Sequence, residues 1–213
     1  MTQPRRAVIV IDVQNEYANG PLEIQYPPRE AAVANAVRAI DAAIAAEIPV
    51  ITVQHEYPEG APVFAAGSEG VQLQPEIAER SGDAAFHSVK ALASVFNDDA
   101  LVAWLRDHEI DTVTLVGFMT NNCVLASAAG AEPLGLNVEV LSDATGAINI
   151  ANEAGSASAQ QVHETLMALL HSNWAAVATT DAWASAVVDG AALEKSNLVV
   201  SALQGHEAVS ASA

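Results

Sequence analysis

The sequence contains a single cysteine, Cys123, in 213 residues. One cysteine cannot form an intramolecular disulfide, which fits a reducing compartment such as the cytoplasm. It also cannot supply the clustered thiolates of a structural zinc site. The N-terminal residues lead directly into a predicted strand, so we expect no signal peptide and a cytoplasmic location. A lone cysteine is either an inert buried residue or a nucleophile, and its sequence context has to distinguish the two.

Positive charge is scarce as well. The chain has 8 Lys and Arg residues against 26 Asp and Glu residues, which gives a formal net charge of −18. Because nucleic acids and anionic membrane surfaces are bound through clusters of basic residues, we expect neither as a partner. Hydrophobic residues make up 51% of the chain. No uninterrupted apolar run, however, reaches the length of about 20 residues that a membrane-spanning helix needs.

Several cofactor and nucleophile motifs are missing too. There is no Gly-x-x-x-x-Gly-Lys loop and no Gly-x-Gly-x-x-Gly after the first predicted strand, so we expect no nucleotide cofactor. The Asp-x-Asp pair of aspartate-nucleophile phosphatases and dehalogenases is absent, because Gln14 stands two residues after Asp12. None of the six histidines lies in a cysteine-protease signature.

What is present is a regular alternation of strand and helix patterns. Apolar, β-branched runs predict strands at 7–11, 49–53, 112–117, 138–141 and 175–179. Helical spacing predicts helices over 30–47 and 156–171, the second with Val162, Leu166 and Leu169 facing inward. Another helix precedes the strand at 112–117, with Leu101, Trp104 and Leu105 on its core face. This alternation predicts an α/β fold of three layers, α/β/α, with a mostly parallel sheet.

The remaining segments define the domain organisation. Residues 58–86 contain three prolines and four glycines, and they predict a long irregular segment that forms pocket walls. One domain is expected over residues 1–185, because the chain is long enough for a single well-buried core. Residues 186–213 then form a C-terminal extension with apolar residues up to 203 and a frayed tail from Gly205.

Three residues stand where chemistry is expected. Cys123 follows the strand at 112–117 and precedes a run of small residues that predicts a helix, so backbone N–H groups converge near its thiol. Asp12 ends the first strand, at the sheet edge where open α/β proteins bind ligands. Lys90 lies in a segment of low charge, upstream of a helix that Asp98 or Asp99 would cap. Taken singly, each has an ordinary alternative: a buried inert thiol, a loop-capping carboxylate and a surface lysine.

Together these positions resemble the isochorismatase-like cysteine hydrolases, the superfamily of nicotinamidases and N-carbamoylsarcosine amidases. The resemblance covers about residues 5–185. It rests on Val10-Ile-Asp12-Val-Gln14-Asn15, Lys90-Ala-Leu-Ala-Ser-Val-Phe96, Gly117-Phe-Met-Thr-Asn-Asn-Cys123-Val124 and, more weakly, Ser142-Asp143-Ala-Thr145 with 159–166. The family's Rossmann-like α/β/α fold agrees with the one that the pattern predicts.

The resemblance implies roles for these residues. Asp12, Lys90 and Cys123 would form the catalytic triad, with Lys90 lowering the pKa of the thiol and Asp12 accepting its proton. The backbone N–H groups of Met119 and Cys123 would form the oxyanion hole, and the Phe118–Met119 peptide bond would be cis.

The resemblance also limits the chemistry. Nicotinamidases carry a metal site around an Asp-x-His motif after the second strand, and residues 54–57 of this chain lack that motif. We therefore expect a metal-independent enzyme without a cofactor. Isochorismatases proper cleave a vinyl ether and lack the cysteine nucleophile, so Cys123 favours hydrolysis of a C–N bond in a small amide, carbamoyl or ureido compound. The pocket residues suggested for this small-molecule substrate are Gln14, His55, Tyr57, Phe86 and Phe118.

Alternatives remain open at this point. The chain could be a vinyl-ether hydrolase of the isochorismatase type, an inactive relative that serves as an oligomeric scaffold, or a thiol redox sensor based on Cys123. A homo-oligomer, either a dimer or a tetramer, is expected because the family is often oligomeric and the extension is apolar. The extension could also fold back on its own subunit. Its apolar residues are Val187, Val188, Leu198, Val199, Val200 and Leu203.

Overall fold

The computed structural model describes residues 3–211. Within these residues the strands are β1 (Arg6–Ile11), β2 (Val50–His55), β3 (Phe86–Lys90), β4 (Thr112–Phe118), β5 (Asn137–Gly146), β6 (Ile150–Asn152), β7 (Gly155–Ala157) and β8 (Ala176–Ala178). The helices are α1 (Glu16–Asn19), α2 (Arg29–Ala45), α3 (Pro75–Ser81), α4 (Asp99–Asp107), α5 (Leu125–Gly130), α6 (Ala159–Ser172), α7 (Thr180–Val188) and α8 (Leu198–Ala211). Short 3₁₀ turns occupy Val95–Asn97 and Glu132–Leu134, and a π-helical turn occupies Thr120–Val124.

Six strands form one sheet in the order β3-β2-β1-β4-β5-β8, and all neighbouring pairs are parallel. Strands β6 and β7 form a separate antiparallel pair. Parallel strands need crossover connections, which the helices between them supply. The predicted parallel sheet is therefore confirmed.

The helices cover both faces of this sheet, as the side chains of β1 illustrate. Val8 and Val10 belong to an apolar cluster with residues of α2, α3 and α7. Ala7, Ile9 and Ile11 belong to a second cluster with residues of α4, α5 and α6. Because successive side chains of a strand point to opposite faces, an apolar run of this kind fills two cores at once. The three-layer α/β/α prediction is confirmed.

Helix α4 follows its prediction closely. Asp98 caps it by accepting hydrogen bonds from the N–H groups of Ala100 and Leu101. Leu101 and Leu105 are buried.

The inward face predicted for α6 is displaced from the buried one: Val162 and Leu166 are half-buried, and Leu169 is exposed. The buried residues of this helix are Ala159, His163, Met167 and Leu170, whereas Leu169 is 42% exposed. A helical period of about 3.6 residues fits the predicted residues and the buried residues equally well. The buried face contains the polar His163, so it does not read as an apolar stripe in the sequence.

Regular structure also occurs in the segment 58–86, which was predicted to be irregular. Helix α3 lies within it, with Pro75 at its start and Ile77 buried. Strand β3, whose first residue belongs to this segment, is an edge strand with β2 as its partner. Its inward residues are Ser88 and Lys90, and both are polar. The hydrophobic pattern therefore did not reveal the strand that carries Lys90.

Gly117 of β4 is in register with Ile11 of β1 and lies against its backbone. Its φ is +103°, and a Cβ at this position would lie 2.1 Å from the carbonyl oxygen of Ile11. An alanine has no room here and would also be strained at positive φ.

We expect Gly117→Ala to lower the free energy of unfolding by about 3 kcal/mol or more, measured by urea denaturation. Gly82→Ala is the matched control, because Gly82 has helical dihedral angles and open space around its Cα. That control should be neutral or slightly stabilising. Equal stability of the Gly117→Ala protein and the native protein would contradict the steric argument.

The C-terminal extension contains one more helix, α8, which continues through Gly205 where a frayed tail was predicted. Much of its apolar surface is exposed, including Leu198 at 61%, Val199 at 69% and Leu203 at 60%. The segment before α8 is anchored to the domain: the Ala191 carbonyl accepts a hydrogen bond from buried Arg6, and Leu193 packs on the core.

We therefore expect the full chain to be a dimer or a tetramer, and a chain shortened to end at Ser196 to be monomeric. The physical reason is that an isolated helix of 14 residues with exposed Leu and Val side chains is marginal in water unless another surface covers it. Light scattering measures both masses. A monomeric full chain contradicts self-association, and an unchanged oligomer after shortening removes α8 from it.

Candidate active site

Side chains from four neighbouring strands converge at the carboxyl edge of the sheet. Lys90 ends β3, His55 ends β2, Asp12 follows β1, and Cys123 lies in the turn after β4. The strands stand side by side in this order, and His55 is in register with Lys90. All four residues are buried, with exposures between 0% and 5%. The three residues predicted to react thus lie together, and His55 lies with them.

The ammonium group of Lys90 is the centre of this cluster. Its Nζ lies 2.7 Å from Asp12 Oδ2, 2.9 Å from His55 Nδ1 and 3.3 Å from Cys123 Sγ. An ammonium has three N–H donors, so each contact uses one of them. The lysine therefore connects a carboxylate, a neutral ring nitrogen and a thiol through one cation.

Local backbone geometry brings Asp12 and Cys123 together. Asp12 has a φ of +51°, a left-handed conformation that aspartate tolerates better than most residues. The Phe118–Met119 peptide bond is cis, and the π-helical turn that holds Cys123 begins one residue later. Ser127 donates a hydrogen bond to the Cys123 carbonyl and accepts one from the N–H of Val95. The turn Thr120–Val124, called the nucleophile turn after the role predicted for Cys123, is thus tied to the loop after β3.

Burial dominates the protonation of the site. Desolvation, and after it the negative charge of Asp12, raise the pKa of the Cys123 thiol to about 12, although Lys90 acts in the opposite direction. Desolvation also raises the pKa of Asp12, and Lys90 partly offsets this effect. The prediction of a lowered thiol pKa is therefore wrong for the closed site. Because a thiol with this pKa is protonated at neutral pH, a reaction has to begin with proton transfer.

Gln14, predicted as a pocket residue, is engaged with the backbone instead. Its side-chain oxygen accepts a hydrogen bond from the N–H of His55, and its amide nitrogen donates to the carbonyls of His55 and Val71. The Gln14 side chain is fully buried. It therefore fixes the end of β2 and leaves no free group for a substrate.

The other suggested pocket residues are distributed unevenly. Tyr57 packs edge-on against the His55 ring at a centroid distance of 4.6 Å, and Phe118 and Met119 are buried next to the nucleophile turn. Phe86 is not part of the cluster. It starts β3, about 13 Å along the strand from Lys90, and it packs against Trp104.

Sequence reasoning missed two aromatic residues of the site. Tyr17 is buried, and its pKa is raised first by desolvation and then by the charges of Asp12 and Cys123. Phe64 lies on the long segment after β2, and its ring contacts those of Tyr17 and His55. The position of Tyr17, five residues after Asp12, was a signal that the sequence offered. Phe64 has no such signal, because only the path of the loop brings it to the site.

His163 supports the same turn from the other side. Its Nδ1 lies 3.0 Å from Thr120 Oγ1, and its Nε2 lies 3.0 Å from the Ser142 carbonyl. The ring is buried, and desolvation lowers its pKa. The weak fourth sequence block, which contains Ser142 and His163, thus holds the first residue of the nucleophile turn.

A metal ion has one candidate ligand set in the described part of the chain. Asp12, His55 and Cys123 each offer a ligand atom, and these atoms lie within 4.8 Å of one another. The Lys90 ammonium, however, is hydrogen-bonded to all three. A divalent cation could use these ligands only if Lys90 withdrew, since two cations cannot share the position. The residues present therefore fit a lysine-centred site better than a metal site.

Comparison with known proteins identifies the family of the chain. A family model for the isochorismatase domain matches residues 6–182. The chain belongs to the isochorismatase family of hydrolases. One similar protein of known crystal structure comes from Burkholderia xenovorans LB400 and has been assigned as an isochorismatase without proof of activity. Its sequence is 44% identical and its TM-score is 0.95, and the match covers 98% of this chain and 100% of that one.

Two relatives of this isochorismatase-family chain carry different names, one of an enzyme and one of a secreted effector. The nicotinamidase of Escherichia coli K12 is 29% identical over 184 residues, covering 69% of this chain and 85% of that protein. A secreted isochorismatase effector of Verticillium dahliae is 32% identical over 139 residues, covering 65% of this chain and 71% of that protein. Because the family includes a secreted member, the cytoplasmic location stays a prediction. No helix within residues 3–211 is long and apolar enough to cross a membrane.

Proposed function

We propose that this isochorismatase-family protein hydrolyses a C–N bond in a small amide, carbamoyl or ureido compound through a thioester on Cys123. The observation that carries the proposal is the Lys90 ammonium, which binds the Asp12 carboxylate at 2.7 Å and the Cys123 thiol at 3.3 Å. Such a nucleophile, base and cation within hydrogen-bonding reach are the elements of cysteine acyl transfer. Similarity to a nicotinamidase supports an amide as the substrate class.

The first step is transfer of the thiol proton to Asp12. Burial raises the pKa of Asp12 above its ordinary value, which makes it a stronger base than a solvated carboxylate. The developing thiolate gains the full attraction of the Lys90 ammonium in a site from which water is excluded. Proton transfer and attack on the substrate carbon are thus coupled, and no stable thiolate is needed beforehand.

The later steps use the same groups. Attack of Sγ forms the C–S bond and moves charge to the carbonyl oxygen, for which the N–H groups of Met119 and Cys123 are the proposed donors. Protonated Asp12 gives its proton to the leaving nitrogen as the C–N bond breaks. Asp12 then removes a proton from water, and the resulting hydroxide attacks the thioester carbon. The C–S bond breaks as the acid product leaves, and the proton on Asp12 returns to Sγ to restore the thiol.

The closed site sets a requirement for binding. Cys123 is 1% exposed and Asp12 is fully buried, so a substrate has to displace the residues that cover them. Phe64 covers His55 and has a φ of +50°, which is unusual for an aromatic residue.

Release of ammonia from a panel of primary amides, carbamoyl compounds and ureas tests the proposal directly. Ammonia release by the native protein and its absence with Cys123→Ser would support a cysteine hydrolase. Ammonia release that persists in Cys123→Ser would instead indicate Asp12 chemistry. No ammonia release from any C–N compound would favour the vinyl-ether or the scaffold alternative.

A separate expectation concerns metals. Activity should survive exhaustive treatment with EDTA, because Lys90 supplies the cation at the position between Asp12, His55 and Cys123. The measurement is the rate before and after dialysis, together with elemental analysis of the purified protein. Stoichiometric zinc with loss of activity on chelation would contradict a lysine-centred site.

A further inference from the structure

The position of His55 suggests a role that its sequence context did not reveal. Its Nδ1 lies 2.9 Å from Lys90 Nζ, and the same nitrogen is 4.0 Å from Asp12 Oδ2. The side chain of Lys90 runs from the edge strand β3 toward β1, and β2, which ends in His55, lies between these two strands. His55 therefore stands beside the path by which the ammonium reaches Asp12 and Cys123.

The protonation of His55 follows from this contact. Desolvation, and after it the positive charge of Lys90, lower the pKa of His55 to about 4, so the ring is neutral at neutral pH. Because the ammonium can only donate, Nδ1 has to be the acceptor and Nε2 carries the ring proton. Within residues 3–211, Nε2 is buried and has no hydrogen-bond partner. Nδ1 is thus the ring atom with a defined contact in the closed site.

The backbone of His55 is held by hydrogen bonds, and its ring is packed between two aromatic rings. Gln14 binds both the N–H and the carbonyl of His55, at 2.8 Å and 2.9 Å. The rings of Tyr57 and Phe64 pack against it at centroid distances of 4.6 Å and 5.1 Å. A side chain fixed in this way can determine where a flexible neighbour lies, whereas lysine has four rotatable bonds and cannot fix itself.

We propose that His55 is a positioning residue whose Nδ1 holds the Lys90 ammonium between Asp12 and Cys123. This proposal rests on the proposed function and adds a fourth side chain to it. With His55 present, all three N–H donors of the ammonium are used. Without the acceptor, one donor of a buried cation is left unpaired, and a flexible chain avoids that penalty by leaving the thiol.

Three substitutions separate the two ring nitrogens. His55→Asn places an oxygen near the position of Nδ1, His55→Gln places one near Nε2, and His55→Leu removes both. We expect kcat to fall roughly 10- to 100-fold in the Leu and Gln proteins, as for loss of a hydrogen bond to a charged group. The Asn protein should stay within about threefold of native, since it keeps the acceptor. His87→Leu, on the exposed side of β3, is the matched control and should leave kcat unchanged.

A second readout does not depend on the substrate. The rate at which iodoacetamide alkylates Cys123 at one fixed pH reports how well Lys90 stabilises the thiolate. We expect the same order of alkylation rates: fast in the native and His55→Asn proteins, and slow in the His55→Gln and His55→Leu proteins. If the native protein hydrolyses no C–N compound, the proposed function fails and the alkylation order still tests His55.

The outcomes are distinct. Slow Leu and Gln proteins with a native-like Asn protein support positioning through Nδ1, provided that urea denaturation shows all of them folded. If the Leu protein does not fold, the comparison of Asn with Gln decides. Rescue by Gln instead of Asn overturns the proposal, as do equal rates in all variants. A Leu protein that is alkylated as fast as the native one also overturns it.

Discussion

Replacing Cys123 by alanine is expected to lower turnover by a factor on the order of 10⁴ or more, because the reaction then lacks the atom that forms the thioester. Neither Asp12 nor Lys90 can take its place: the carboxylate has a defined role as base and the ammonium has no lone pair. The measurement is kcat for the best C–N substrate found in the panel. KM should change less than kcat, since the thiol is a small part of the binding surface.

The fold should tolerate this substitution. Sγ is buried in the core cluster between the sheet and helices α4 to α6, so its removal leaves a small cavity and costs about 1 kcal/mol. Cys123→Ser is the matched control because it keeps the volume and loses the nucleophilicity. Substantial activity in both variants would show that the thiol is not the nucleophile.

Replacing Lys90 by methionine is expected to lower kcat by about 10²–10⁴-fold at neutral pH. Desolvation raises the pKa of buried Asp12 and of Cys123, and the positive charge of Lys90 partly offsets both shifts. Without it, the pKa of Asp12 rises further, the carboxyl group is increasingly protonated, and it can no longer accept the thiol proton. The acid limb of the pH–rate profile should therefore move to higher pH in the variant.

The same substitution affects stability and has a natural control. Removal of one partner from a buried ion pair typically destabilises by about 3–5 kcal/mol, and proton uptake by Asp12 relieves part of this cost. Lys195 is the other lysine of the chain, and it is exposed, so Lys195→Met should change neither rate nor pH profile. An unshifted acid limb in Lys90→Met would remove the lysine from control of Asp12.

The layered fold was readable because its signals are local. The run from Ala7 to Ile11 is apolar at every position, which is typical of a strand buried on both faces. The segment 30–47 and the cap at Asp98 carried helix signals that depend on neighbours only a few residues away. Alternation of such elements is sufficient to predict a parallel sheet with helices on both faces.

Strand β3 and the buried face of helix α6 escaped prediction for a physical reason. Strand β3 directs Ser88 and Lys90 inward, so its pattern lacks the apolar alternation of a half-buried strand. Helix α6 buries His163 because that ring is hydrogen-bonded to Thr120 and Ser142, which are 43 and 21 residues away. Polar residues can be buried only when distant partners satisfy them, and such partners are invisible in a local window.

The candidate site also has features that the sequence revealed and features that only the tertiary structure revealed. The sequence by itself singled out Asp12, Lys90 and Cys123, because each stands in a motif that resembles the family, and Asp12 and Cys123 also follow predicted strands. Tertiary structure alone decided that the Gln14 side chain hydrogen-bonds to the backbone and that Phe86 lies away from the site. It also made His55 the third hydrogen-bond partner of Lys90. It also reversed the expected pKa shift of the thiol. Residue type and order specify which groups are available, whereas burial and contacts across the sheet set their charges and partners.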